Sequence, residues 1–231
     1  SVREAIVQSL NTCAVRTNLL YGTYNSYKFM TEKLGFTTLT ETDSAQVGNM
    51  ALGGFENGVS TLEMAAAYSA FVNDGVYTTP RTYSRVEDSQ GNVIIDNNTE
   101  SHVAMKKTTA YLMRSILQDV VTRGTGGGAY FSGMSIGGKT GTTDDARDRY
   151  FAGFSPYYCA AIWSGYKSNE VVYSGTNPCS AMFCRVMSRI HEGLEDPGFH
   201  SCDGLVNVTV CADSGQLATE ACAADFRGSR V

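Results

Sequence analysis

The sequence predicts an α+β domain in which an antiparallel sheet packs against helices. Helical patterns gather in the first half, at residues 1–13, 24–34, 60–72 and 108–122. Three strand-like segments then follow one another directly, at 136–143, 150–154 and 158–166, with only short breaks between them. One more helical pattern, at 182–194, comes after the strands. Strands that follow in series without intervening helices pair as antiparallel neighbours.

Each element has a local cause. Ser1-Val2-Arg3-Glu4 reads as a capping box, and Ile6, Val7, Leu10 and Ala14 follow at helical spacing. That predicts a first helix running to about Asn11–Cys13, with Ser9 and Asn11 at its end. A second helix, 24–34, is stopped by Gly35. Ser60-Thr61-Leu62-Glu63 repeats the capping signature and opens an Ala-rich helix that Gly75 ends. Residues 82–87 and 93–96 flank Asp88-Ser89-Gln90-Gly91-Asn92, a hairpin pattern. Tyr111, Leu112, Ile116, Leu117, Val120 and Val121 give 108–122 an apolar face, and Gly124-Thr125-Gly126-Gly127-Gly128 reads as a mobile connector. Cys13, Cys159, Trp163 and the Tyr150-Phe151 pair read as core. Asp144, Asp145, Arg147 and Asp148 read as a solvated loop with local ion pairs. Asp196-Pro197-Gly198 breaks the last helix, and the composition beyond it shifts to small residues, Val and Cys. We divide the chain there, into 1–195 and a Cys-containing tail, 196–231.

With 42% hydrophobic and 18% charged residues, the 231-residue chain can bury a core. A net charge of −5 and the lack of any dense basic run argue against a nucleic-acid surface. No apolar run approaches the ~18 residues that span a bilayer. The chain starts Ser1-Val2-Arg3, without Met or a leader pattern, which we read as a processed product or a piece of something longer. Seven cysteines leave at least one unpaired; Cys211 with Cys222, or Cys179 with Cys184, are open pairings. No C-x-x-C pair and three scattered His give no metal-ligand pattern.

The stretch that carries chemistry is Gly137-Gly138-Lys139-Thr140-Gly141-Thr142-Thr143. In an extended strand Lys139, Gly141 and Thr143 share one face, and Thr140 and Thr142 the other. A Gly within a strand marks a close approach by a ligand or another backbone. The pattern suits an edge strand holding an extended anionic substrate, with Lys139 as the cation and the Thr hydroxyls on a carboxylate. Gly133 to Thr140 also satisfies G-x-x-x-x-G-K-[ST], the phosphate loop of a P-loop NTPase, which requires a helix beginning at the Lys.

Taken in order, the motifs resemble the C-terminal part of the transpeptidase domain of class A penicillin-binding proteins, in the group of serine acyl-transferases that includes the β-lactamases. Ser9-Leu10-Asn11 is similar to the family's second motif, with Leu10 at its variable middle position. Leu52-Gly53-Gly54 with Ser60 to Ser69 resembles its middle helix. Gly124-Thr125-Gly126, Lys139-Thr140-Gly141-Thr142, Asp148 to Phe154 and Trp163 to Tyr166 resemble its strand region. The series covers residues 1 to about 195.

The resemblance implies a peptidoglycan D,D-transpeptidase that works through a serine acyl-enzyme and needs no cofactor. In that reading Lys139 keeps the site positive and positions the proton of Ser9, and Ser9 relays a proton to the leaving amine. Asn11 binds the substrate's acyl-side amide, Thr140 and Thr142 bind its terminal carboxylate, Gly141 leaves room for its backbone, and the Thr142 N–H is half of an oxyanion hole. The implied partners are stem peptides ending in D-Ala-D-Ala, β-lactams, and an N-terminal part of the same protein. The implied location is the extracytoplasmic face of the bacterial membrane, with the anchor upstream.

The family's S-x-x-K nucleophile should precede Ser9, where this chain has eight residues. Ser164-Gly165-Tyr166-Lys167 matches the letters but follows the Lys-Thr-Gly ribbon and falls at a strand end, so we reject it. The predicted fold is therefore penicillin-binding transpeptidase-like and incomplete at its N-terminal side. A β-lactamase or a non-catalytic β-lactam sensor are the alternatives; no Glu between the second and third motifs stands out as the base a β-lactamase needs.

Overall fold

Capping chemistry and glycine placement explain most of the element boundaries. In a computed structural model residues 1–225 are described, and the last residues of the predicted tail, 226–231, lie outside them. Helix α1, Val2–Val7, is capped by the Ser1 side chain, which accepts from the Glu4 N–H. It stops earlier than its apolar spacing predicts. Ser9, with φ +56°, ends it, and a second helix, α2 (Asn11–Tyr21), begins two residues later. The single helix expected over 1–13 is thus two. Helix α2 has no continuous apolar stripe, and Leu20 is 82% exposed, so periodicity could not reveal it.

Helix α3, Thr23–Lys28, runs into a π-helical turn, Phe29–Lys33, and ends before Gly35 at φ +69°. The short helices α4, Glu41–Ala45, and α5, Val47–Leu52, come next. Helix α4 is opened by a capping box between Thr40 and Asp43. Helix α6, Thr61–Val72, has the predicted box between Ser60 and Glu63.

Four short strands pair in antiparallel twos: β1 (Val76–Thr78) with β4 (Ser101–Val103), and β2 (Arg85–Glu87) with β3 (Val93–Asp96). The β2–β3 turn is the predicted hairpin, held by Asp88, whose Oδ1 accepts from the N–H of Gln90 and of Asn92 at 2.8 Å each.

Helix α7, Lys107–Arg123, is the long amphipathic helix expected there. After it come β5 (Gly137–Thr142), β6 (Asp148–Phe154) and β7 (Cys159–Gly165), an antiparallel sheet in the order β5-β6-β7. Strand β5 is an edge, as predicted. Helix α8, Pro178–Ile190, begins earlier than predicted, because the Asn177 side chain caps it and Pro178 occupies its first turn. Beyond it, among the described residues, lie an isolated bridge, Val210 with Leu217, and a short helix, α9 (Glu220–Ala223).

The sheet is buried on both faces. Phe151 and Phe154, three residues apart on β6, point to opposite sides. Phe154 packs with Val7 of α1 and with Leu117 and Val120 of α7. Phe151 packs with Phe183 and Met187 of α8. Phe199, in the first tail residues, stacks edge-on to Phe154 with centroids 5.6 Å apart, so the chain after α8 returns to the same core.

Two sequence readings need correction. Trp163 is 44% exposed and donates from Nε1 to Asp148 Oδ1 at 2.9 Å, so it is not core. Cys13 is likewise exposed on α2, whereas Phe151 is buried as expected.

Gly137 and Gly138 exist to admit these aromatic rings. A Cβ on Gly137 would lie 2.5 Å from Phe154 Cε2, and one on Gly138 would lie 2.5 Å from Phe151 Cζ and 2.7 Å from the Ala152 carbonyl oxygen. Gly138→Ala is therefore expected to lower the unfolding free energy by about 1–3 kcal/mol in chemical denaturation, the usual cost of overpacking. Gly48→Ala, which would meet nothing within 4 Å on α5, should be neutral or stabilising by up to about 1 kcal/mol. Equal effects of the two would contradict this packing role.

Candidate active site

The α1–α2 break is a helix-termination motif built without glycine. The Leu10 N–H bonds the Ala5 carbonyl at 2.9 Å, and the Ser9 N–H bonds the Ile6 carbonyl at 3.1 Å. These are the two bonds of a Schellman cap, whose left-handed position usually carries Gly. Ser9 occupies it at φ +56°, a conformation that costs a residue with a Cβ roughly 1–2 kcal/mol. The turn places the Ser9 hydroxyl toward β5.

The other half comes from strand register. Gly137 pairs with Phe154 and Lys139 with Ala152, so Lys139 lies on the sheet face that α1 and α7 cover. From there Lys139 Nζ donates to Ser9 Oγ at 2.8 Å, joining residues 130 positions apart, and to its neighbour's carbonyl, Thr140 O, at 3.1 Å. Burial pushes the Lys139 ammonium down to about 8 from an ordinary 10.5. The arrangement yields a hydroxyl in contact with an amine that exchanges its proton near pH 8.

Thr140 turns to the connector after α7. Its hydroxyl and that of Thr125 lie 3.1 Å apart. The connector, read as mobile, is pinned. The Thr125 N–H bonds the Val7 carbonyl at 3.4 Å, and a Cβ on Gly124 would fall 2.6 Å from the same oxygen. Thr125 is the residue that sequence reasoning left without a role, although Gly124-Thr125-Gly126 was the signal for it. Gly141 and Thr142 lie on the open stretch of β5, with Thr142 exposed. A Cβ on Gly141 would meet only Tyr150 Cβ, at 3.2 Å. Asn11 sits exposed in the first position of α2, two residues from Ser9.

The structure thus joins Ser9 to Lys139 and Thr125 to Thr140, with Asn11 beside the first pair and Thr142 further along the ribbon. The phosphate-loop reading fails: Lys139 lies within β5, and no helix starts there. Ser164 is inside β7, paired with Arg149, and Lys167 lies in the turn beyond the strand. The Ser155–His191 pair, 2.7 Å apart, is no nucleophile either. Ser155 is fully buried and accepts from the Tyr157 and Tyr158 N–H groups at 3.1 and 3.0 Å. The acidic loop holds local pairs as expected, with Arg147 3.8 Å from Asp145.

Comparison with known proteins agrees with the resemblance. Residues 1–163 match the family model described as the penicillin-binding protein transpeptidase domain. A "Penicillin-binding protein 1A" of Clostridium perfringens is 37% identical over 237 residues, covering 99% of this chain and 28% of that protein. The chain spans about a quarter of the length of the curated relatives it matches. Penicillin-binding protein 1A from Haemophilus influenzae superposes with a TM-score of 0.75 at 20% identity, over 94% of this chain and 38% of that one. The D,D-transpeptidase domain of a peptidoglycan glycosyltransferase from Eggerthella lenta gives 0.65 at 23% identity, over 84% and 54%. These two likenesses show the fold: mixed helices and a small antiparallel sheet.

Because folding depresses its pKa, Lys139 binds its proton less tightly than in the unfolded chain. Its penalty on stability is present below about 8 and relaxes as pH rises toward 10.5. An NMR titration of lysine side chains, with Lys139→Met to assign the signal, should find Lys139 changing charge near 8. A midpoint near 10.5 would contradict the buried amine described here.

Proposed function

The chain belongs to the penicillin-binding protein transpeptidase family, and from that premise we propose that it is the C-terminal part of a peptidoglycan D,D-transpeptidase. Residues 1–195 carry its share of the site, and 196–231 are an appended tail. The nucleophile is the Ser of an S-x-x-K segment in the N-terminal part of the same protein. The observation that carries the reading is the 2.8 Å contact between Lys139 Nζ and Ser9 Oγ.

The substrate is a stem peptide ending in D-Ala-D-Ala, laid along the free edge of β5. Its terminal carboxylate meets the hydroxyls of Thr140 and Thr142, with Thr125 holding the Thr140 hydroxyl in place. Gly141 leaves the β5 edge low; the chain's own packing needs little from it, since only Tyr150 comes close. Asn11 bonds the acyl-side amide. The nucleophilic Ser oxygen attacks the carbonyl carbon between the two D-Ala residues as its proton passes to the Lys of S-x-x-K, and the oxyanion that forms is held by the Thr142 N–H. One such preorganised donor is worth about 3 kcal/mol in the transition state.

The C–N bond then breaks. The leaving D-Ala nitrogen takes a proton through Ser9, whose hydroxyl is re-supplied from Lys139. An ammonium held near 8 can give up that proton at neutral pH, which an ordinary lysine could not do as readily. In the second half the amine of a neighbouring stem attacks the acyl-enzyme carbonyl and loses its proton through Ser9 to Lys139; the bond from the carbonyl to the Ser oxygen breaks, that oxygen recovers its proton from the Lys of S-x-x-K, and the crosslink is made. A β-lactam acylates the same Ser and is not displaced, which makes this a β-lactam target. The site belongs at the extracytoplasmic face of the membrane, where peptidoglycan lies; among the described residues no helix is long and apolar enough to cross a bilayer.

The test pairs this chain with the N-terminal part that carries S-x-x-K. The assembled protein should release D-Ala from a D-Ala-D-Ala peptide and form a covalent adduct with benzylpenicillin. Lys139→Ala should cut acylation by at least about 100-fold, the scale of removing a positioned proton-transfer group. This chain alone should gain no mass. An adduct on Ser9 or Ser164, or undiminished acylation in Lys139→Ala, would overturn the assignment. Rapid hydrolysis of penicillin would point to a β-lactamase, and acylation without D-Ala release to a sensor.

A further inference from the structure

The tail holds a pair of cysteines that local backbone bonds bring together. The Ala218 N–H bonds the Thr209 carbonyl at 2.9 Å, the Cys211 N–H bonds the Gln216 carbonyl at 2.8 Å, and the Gly215 N–H returns to the Cys211 carbonyl at 2.8 Å. With Val210 bridged to Leu217, residues 209–218 form a tight hairpin whose reversal uses Gly215 at φ +71°. Thr219 then opens α9, and Cys222 lies one turn along it, its N–H bonded to the Thr219 carbonyl at 3.0 Å. The Cys222 Sγ lies 3.5 Å from the Thr219 hydroxyl, at the residue that directly follows the hairpin strand holding Cys211 in register, and Cys222 is among the groups that lower the Cys211 thiol.

We propose that Cys211 and Cys222 form a disulfide that closes the tail hairpin onto α9. The oxidant is a disulfide of the thiol–oxidoreductase or glutathione class. The Cys211 thiolate attacks one sulfur of the donor, whose other sulfur leaves as a thiolate and takes a proton. The Cys222 thiolate then attacks Cys211 Sγ in the mixed disulfide, and the second donor thiolate leaves. Two cysteine thiols are oxidised, two donor thiols are made, and the two protons pass to them.

Four of the other five cysteines are poor competitors. Cys179 and Cys184 both lie on α8, five residues apart and hence on different faces; Cys179 Sγ faces the Arg149 carbonyl at 3.1 Å and Cys184 Sγ the Tyr130 carbonyl at 3.3 Å. That rules out their pairing with each other. Burial pushes the Cys159 thiol up to about 12, which leaves it unreactive. Cys202 is turned to the Asp203 carbonyl at 3.2 Å. Cys211, by contrast, is surrounded by donors. The Ser214 hydroxyl and the Ser214 and Asp213 N–H groups, with Cys222 behind them, bring its thiol down to about 7, so much of it is thiolate at neutral pH. The inference does not depend on the transpeptidase reading, though the location proposed there is one where such oxidants persist.

The test oxidises the chain with oxidised glutathione at neutral pH, blocks the remaining thiols with iodoacetamide after denaturation, and cleaves before Asp. Cleavage at Asp203, Asp213 and Asp225 puts Cys211 in peptide 203–212, Cys222 in peptide 213–224, and Cys202 in a third. The first two should appear as one linked species that reduction separates, unchanged in Cys202→Ser. In Cys222→Ser, Cys211 should remain as its glutathione adduct. Recovery of Cys211 and Cys222 as separate alkylated peptides, or of Cys202 joined to either, would overturn the proposal.

Discussion

One hydrogen bond, from Lys139 Nζ to Ser9 Oγ, requires most of the fold to be as it is. Its amine side is set by the β5–β6 register, which two glycines permit by letting Phe154 and Phe151 cross the strand. Its hydroxyl side is set by a helix cap in which a serine takes the left-handed place normally left to glycine. Val7 joins the two sides. Its side chain is buried with Phe154 and Val120, and its carbonyl receives the connector that carries Thr125 to Thr140. A shift of any of these pieces would move the hydroxyl off the amine.

Glycines in the ribbon therefore serve two purposes that look alike in the sequence. Gly137 and Gly138 are demanded from inside, by aromatic rings and backbone that a Cβ would strike. Gly141 has only one moderately close neighbour, Tyr150, so internal packing asks little of it, and in the proposed function it leaves room for the substrate backbone. The run Gly137-Gly138-Lys139-Thr140 imitates a phosphate loop only because the packing glycines happen to precede a lysine.

Much of this was legible beforehand, where a local rule acts alone. The capping box at Ser60, the Asp88 hairpin, the amphipathic α7 and the three serial strands all follow from short-range chemistry. The pairing of Ser9 with Lys139 was legible only through the order of motifs, because nothing within ten residues of either points to the other. What was missed lacks a periodic signal. Helix α2 has no continuous apolar stripe, and the break before it depends on a serine in an unusual backbone state. Trp163 has the composition of core and the position of rim, since its indole N–H is satisfied by Asp148 at the sheet's end.

The central claim is that Ser9 and Lys139 act as one unit, and a double-mutant cycle in the assembled protein tests it most directly. Acylation by benzylpenicillin would be timed for Ser9→Ala, Lys139→Ala and the pair. If the amine works through the hydroxyl, the second substitution should add little to the first, leaving a coupling of at least about 1 kcal/mol. Losses that simply sum would mean that the two residues act independently, and the contact described here would then have no part in the reaction.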